Sequence, residues 1–247
     1  MPTEDDLARG RNSSGARLVG PQVNNTIRID IWSDIACPWC YIGANRFRVA
    51  VEQFKAENPE VEFEIEGHSY ELAPDTPLNF EGSEIDFLVK HKGMPREQVE
   101  DMLGQMTGMA AAEGITFDFE KVAHSNTAAA HRVLHLAKSQ GIYDEVLARL
   151  FKAYFEEGVN VGDPEQIANV VEEVGLDPEE VQDAFEDESY GEAVERDITR
   201  ARMLGVTGVP FYLINEKYGV SGAQQPEMFV SAFEQVLTLE AEGGSAD

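Results

Sequence analysis

Two cysteines separated by two residues, in the run Cys37-Pro38-Trp39-Cys40, stand where a stretch of period-two hydrophobicity gives way to one of helical period. No other feature constrains the fold as much, because it sets a strand, a short loop and a helix start in quick succession. Upstream, Ile27-Arg28-Ile29-Asp30-Ile31-Trp32 alternates apolar and polar residues and is rich in β-branched side chains, as strands prefer. Ser33 to Cys37 forms a short loop. Pro38 fits the first helical turn, where a missing N–H costs nothing. Ile42, Phe47, Val49 or Ala50, and Phe54 then recur at helical spacing, which predicts a helix to about Ala56.

After Asn58-Pro59 the segment Val61-Glu62-Phe63-Glu64-Ile65-Glu66 alternates again and predicts a second strand, joined to the first by a parallel, right-handed crossover. Its glutamates face one way, which suits a sheet edge with a solvated side and reads as solvation, not catalysis. Beyond Pro74 and Pro77 the pattern turns helical and stays so to about residue 204, with six or seven helices. Ser83 and Pro95 mark starts, as do Asp163-Pro164-Glu165 and Asp177-Pro178-Glu179, each with a capping residue before proline and acid in the first turn. Strands return in Val209-Pro210-Phe211-Tyr212-Leu213-Ile214 and Tyr218-Gly219-Val220, separated by Asn215-Glu216-Lys217 in hairpin spacing. An amphipathic helix follows from Pro226 to about Leu239.

The order β-α-β, helical block, β-β-α gives an α/β fold with a long all-helical insertion. The expected divisions are a disordered tail over 1–25, one unit from 26–80 and 205–240, an insertion over 81–204, and a frayed end over 241–247. The tail has no apolar run able to serve as a signal-peptide core, and no segment reaches the length of a membrane span, so the expected location is the cytoplasm.

The acidity narrows the partners. With 46 Asp and Glu against 19 Lys and Arg, the net charge of −27 repels nucleic acid and anionic membranes. The acids are spread along the chain, which favours adaptation of the whole surface to high salt over a docking patch for one basic partner.

Two cysteines in a chain of 247 residues make no disulfide scaffold; a close pair in a reducing compartment is catalytic or metal-binding. A helix starting at residue 37 or 38 puts Cys37 where unpaired N–H groups and the helix dipole favour thiolate, moving such a thiol from about 8.5 toward the range of about 3.5 to 7.5. Cys40, one turn on, shares its face and can close a disulfide. Cys37 would attack and Cys40 resolve, or the steps would run backward to oxidise a dithiol. Pro38 and Trp39 tune the pair; Trp39 brings no cation, so Cys37 is expected to be less activated than in the most oxidising enzymes of this kind.

Metal is the competing reading. Structural zinc takes four ligands, and there is no second cysteine pair, which leaves a cysteine-based site disfavoured. His124, His131 and His135 form another candidate group, but without a His-Glu-x-x-His pattern they read as packing or capping residues. No metal is expected. Val209-Pro210 begins a central-looking strand, which sheets tolerate where the backbone does something special. A cis bond there, beside the cysteines, would leave the Val209 N–H and C=O free for an extended peptide, so Val209 and Pro210 are candidate substrate-binding residues.

Taken together, Cys37-Pro38-Trp39-Cys40-Tyr41-Ile42-Gly43, His124-Ser125-Asn126-Thr127 with Ala130-His131-Arg132, Leu204-Gly205-Val206-Thr207-Gly208-Val209-Pro210-Phe211 and Ser221-Gly222-Ala223-Gln224 resemble the DsbA family of the thioredoxin superfamily, specifically its FrnE-like branch, over roughly residues 26 to 240. The resemblance implies a thioredoxin-like fold with sheet order 4-3-1-2, a cis Pro210 facing the cysteines, and dithiol–disulfide exchange or isomerisation on protein or small-molecule substrates. No separate cofactor is implied, since the Cys37–Cys40 pair is itself the redox group; glutathione or a thioredoxin system is the candidate electron donor. Kappa-class glutathione transferases and 2-hydroxychromene-2-carboxylate isomerases share the architecture but typically carry serine at the first position. A glutathione-dependent small-molecule isomerase or transferase is therefore the alternative enzyme, and a holdase or interaction module the non-enzymatic one.

Overall fold

The structure is a computed structural model that describes residues 25–77, 80 and 82–243. The expected tail and frayed end fall mostly outside those residues. Strand β1 (Thr26–Ser33) pairs in parallel with β2 (Glu62–Ser69), and the helix between them is α1 (Pro38–Glu57). Strand β3 (Phe211–Ile214) runs antiparallel to β1, and β4 (Tyr218–Ser221) antiparallel to β3, giving the order β2-β1-β3-β4. This is the sheet order the resemblance implied. Helix α9 (Pro226–Gly243) closes the chain.

Period-two burial explains the sheet's core. Ile27 and Ile29 of β1 are fully buried beneath Phe47 and Phe54 of α1 and Phe229 and Phe233 of α9. The Phe47 and Phe229 rings meet edge-on at 5.4 Å, a geometry that adds to the gain from burial. On edge strand β2 the glutamates Glu62 and Glu64 are exposed as expected, but Ile65 on the opposite face is also 41% exposed.

Strand β3 starts two residues later than the sequence pattern suggested. Val209 and Pro210 lie outside the ladder, joined by a cis bond, and the Pro210 carbonyl instead accepts from the Gly222 N–H at 2.8 Å. The hairpin loop of residues 215–217 holds Asn215 and Glu216 at φ 48° and 57°, left-handed, with the Lys217 N–H donating to the Ile214 carbonyl at 3.0 Å. Asn215 secures it by exchanging hydrogen bonds with the Arg28 backbone at 2.8 and 2.9 Å.

Between β2 and β3 the described residues form α2 (Glu84–Lys92), α3 (Arg96–Ala111), α4 (Ala128–Gln140), α5 (Tyr143–Lys152), a π-helical turn (Ala153–Glu157), α6 (Pro164–Glu172), α7 (Pro178–Glu186) and α8 (Glu188–Met203). Ser83, Asp163 and Asp177 cap their helices as their spacing predicted; Asp187 does the same for α8. Val133, Val146, Leu150, Ile167 and Val181 are fully buried in the core of this block. Among the described residues, no helix is long and apolar enough to cross a membrane.

A buried charge cluster fastens the block to the sheet. His68 of β2 places Nε2 2.7 Å from Asp30 Oδ1 of β1 and Nδ1 2.8 Å from Asp197 Oδ1 of α8. Asp197 Oδ2 accepts from the Ser69 N–H at 2.9 Å and lies 3.1 Å from His135 of α4, while Arg200 donates to Asp30 at 2.9 Å. Trp32 stacks on His68 at 4.7 Å and donates its indole N–H to the Asp197 carbonyl. Burial pushes the Asp197 carboxyl up, but donation from His135, His68 and the Ser69 N–H outweighs it and holds the group well below the usual carboxylate range.

Candidate active site

Cys37 is the N-cap residue of α1, in extended backbone conformation, with Pro38 at the first helical position. Its carbonyl accepts from the Cys40 N–H at 2.9 Å, closing the first turn, and its own N–H donates to the Asp34 carbonyl at 3.1 Å. The two cysteines are free thiols 3.3 Å apart. One turn of helix and a proline that cannot continue the backbone ladder upstream suffice to produce this arrangement.

The sulfurs differ in surroundings. The Cys37 thiol donates to the Val209 carbonyl at 3.5 Å, next to the cis Val209–Pro210 bond. The expectation that this carbonyl is free for a peptide is therefore corrected: it serves the resting thiol, and a substrate backbone that pairs there has to displace that contact. Cys40 is 1% exposed, and burial pushes its thiol well above the ordinary range, with Cys37 adding to the rise; the Asp34 backbone and the Ser33 hydroxyl offset it in part. Cys37 is itself only 3% exposed, whereas Trp39 is 37% exposed. Of the two motif-interior residues, Pro38 shapes the turn and Trp39 reaches solvent.

Several site-forming residues went unread in the sequence. Asp34, in what looked like a plain loop, is 1% exposed; Oδ2 accepts from the Leu72 N–H at 2.8 Å and Oδ1 faces His131 Nε2 at 3.3 Å. It holds the Ser33–Cys37 loop against the chain after β2. Gly43 is required by close approach, because a Cβ there would lie 2.9 Å from the Pro210 ring and 2.8 Å from the Tyr212 hydroxyl. Arg46, one turn further, donates to Glu113 at 2.6 Å and to the Ala223 carbonyl at 2.7 Å, clamping α1 between the helical block and the loop after β4. Tyr41 stacks on Phe151 and donates to Glu156 in the π-helical turn at 2.9 Å. A glycine at helical spacing from Cys40 was the one available signal; the rest are long-range pairs.

The three histidines considered as a metal group do not converge. His124 sits between Glu84 and Thr76, His131 faces Asp34, and His135 faces Asp197. Among the described residues, Asp30, Glu66 and His68 bring ligand atoms together, but the Arg200 guanidinium already fills the cationic place beside Asp30. Asn126, in the same block as His124, accepts from the Ala128 N–H and donates to the Thr76 carbonyl at 2.8 Å, so that block braces the start of α4.

The site sets a thiol pair at a helix opening beside the Val209–Pro210 bond, and the chain is similar to several known proteins. The chain is 36% identical to a probable DsbA oxidoreductase of Streptomyces coelicolor, with a TM-score of 0.79 over 85% of this chain and 89% of that one. It is 27% identical to the uncharacterised protein YwbO of Bacillus subtilis over 84% of this chain and 96% of the relative. The cytosolic disulfide reductase DsbM of Pseudomonas aeruginosa, solved with GSH, shares the fold at 17% identity and a TM-score of 0.59, covering 85% and 99%. A family model for the DSBA-like thioredoxin domain matches residues 28–234, both strand pairs and all the helices between them, and the chain therefore belongs to that family.

Proposed function

We propose that the protein exchanges thiols and disulfides with protein or small-molecule partners, with Cys37 as nucleophile and Cys40 as resolving thiol. What supports the reading is the placement of Cys37 at the opening of α1, 3.3 Å from Cys40 and in contact with the residue that precedes a cis proline. In the reductive direction the Cys37 thiolate attacks one substrate sulfur, breaking the substrate S–S bond and releasing one thiolate. Cys40 then gives up its proton and attacks the Cys37 sulfur, releasing the second substrate thiolate and leaving a Cys37–Cys40 disulfide; two electrons have passed to the substrate. A thiol reductant, glutathione or a thioredoxin system, restores the pair.

Pro38 and Trp39 tune the pair, and Val209 and Pro210 meet the substrate backbone. We place the protein in the cytoplasm as a reductase or isomerase: its only cysteines are the reactive pair, and Trp39 contributes no cation to stabilise a strongly oxidising form. Cys37→Ser is expected to abolish insulin reduction and reactivation of a scrambled substrate; a variant that keeps either activity removes the assignment. The direction of flow is read from the reduction potential of the pair, near about −270 mV for a reductase and near about −120 mV for an oxidant.

A further inference from the structure

Cys40 has a second surrounding that Cys37 does not share. A cavity of about 310 Å³ opens between α1 and α5, with the β1–β2 face as its floor and Cys40 in its wall; Cys37 is not among its lining residues. The volume lies at the small end of the range of ligand pockets, about 300–1,000 Å³. Ala44, Phe47, Leu147, Phe151 and Ile65 supply its walls, which explains the exposure of Ile65 on an otherwise buried face. A side chain at position 67 would collide with the Tyr143 ring, so Gly67 lets Tyr143 lie against β2 and complete the inner wall.

We propose that this cavity binds a small, uncharged, aromatic or branched-aliphatic molecule, seated between α1 and α5 with its inner end against Cys40. The walls offer dispersion contacts and few hydrogen bonds, so water is a poor occupant and an unfilled space forfeits packing. Charge selects further. Among the lining residues, Arg48 is already paired with Glu52 at 2.6 Å, and Asp144 adds a further acid, so an anion finds no free partner. A cation would lose its hydration against apolar walls. Pro210 borders the cavity as well as the substrate side, but Cys37 and Val209 do not line it, and its occupancy does not depend on the exchange activity proposed above.

The test is fluorine NMR titration of the full-length reduced protein with fluorobenzene, and with 4-fluorobenzoate as an anion of similar size. Fluorobenzene is expected to bind saturably at one site, and 4-fluorobenzoate at least tenfold more weakly. Ala44→Trp and Leu147→Trp each fill the cavity from opposite walls, and whichever folds, judged by circular dichroism and cooperative unfolding, is expected to lose fluorobenzene binding at least tenfold. Cys37→Ser is expected to bind fluorobenzene as the parent does, which separates this proposal from the thiol chemistry. Non-saturable binding by the parent, equal binding of the two probes, or undiminished binding by a folded cavity-filled variant overturns it.

Discussion

Strand β1 carries two buried polar clusters built on opposite terms. Midway along it, His68 bridges Asp30 and Asp197 at 2.7 and 2.8 Å, and Arg200 donates to Asp30 at 2.9 Å. Just past its end, Cys37 and Cys40 have each other, the Val209 carbonyl at 3.5 Å from Cys37, and the Asp34 backbone and Ser33 hydroxyl beside Cys40, with no opposite charge. A densely paired cluster resists change, because removing one member strands the others in a low-dielectric interior, even though Asp30 Oδ2 itself has no partner. The thiol pair is left with reactive atoms whose better partners come from outside. Stability should therefore reside in the first cluster and chemistry in the second, and substitutions should separate the two.

The largest expected effect breaks the charge cluster. Asp197→Ala leaves His68 and His135 facing a void and should cost about 3–5 kcal/mol in urea unfolding, the range for a buried ion pair that loses one partner. Cys37→Ser, which replaces one small donor by another beside the Val209 carbonyl, should change stability by less than about 1 kcal/mol while removing activity. Equal losses of stability from the two variants would erase the distinction drawn here.

Acid probes the same contrast more gently. Asp30 and Asp197 both titrate below the ordinary value of 3.8, so the unfolded chain binds protons that the folded one refuses. Their stabilisation is complete above about pH 4 and is lost as pH falls through the folded values, at up to about 1.4 kcal/mol per pH unit for each group. Urea midpoints between pH 6 and 3 should fall steeply below about pH 4 in the parent and less steeply in Asp197→Asn. Identical slopes in the two proteins would remove Asp197 from the account. Cys40 titrates in the other direction: burial holds it protonated, so resolution of a mixed disulfide at Cys37 should quicken as pH rises through and beyond the ordinary thiol range, measured as its half-life by mass spectrometry.

The two clusters were also unequally legible in the sequence. The thiol site is local: Cys37, Pro38 and Cys40 lie within one helical turn, and a short motif at a strand-to-helix junction announces itself through spacing alone. Val209-Pro210 was legible because proline is rare within a central strand, although the strand's true start at Phe211 was not. The charge cluster joins residues as far apart as Asp30 and Arg200, and nothing in the neighbourhood of His68 predicts that it will meet Asp197. The π-helical turn at Ala153–Glu157 keeps an ordinary helical sequence and is decided by packing of Tyr154 and Phe155. Helix starts were readable from Ser83, Asp163 and Asp177 because capping is a local hydrogen bond; what each helix packs against was not.

The smallest effect tests the comparison at one atom. Tyr212 of β3 is 1% exposed, and its hydroxyl has no hydrogen-bond partner, although the ring lies under α1 beside the position of Gly43. A buried donor without a partner carries its full desolvation penalty, so Tyr212→Phe should stabilise the fold, by about 1 kcal/mol, whereas removal of a hydrogen-bonded group from the charge cluster destabilises it. Burial keeps the phenol protonated, and it is not hydrogen-bonded to either sulfur in the resting state. The variant should therefore raise the urea midpoint and leave the rate of insulin reduction unchanged. A slower resolving step with no gain in stability would instead show that the hydroxyl turns to the Cys40 sulfur as charge develops there, and would move Tyr212 from the unsatisfied remainder of the core into the chemistry of the thiol pair.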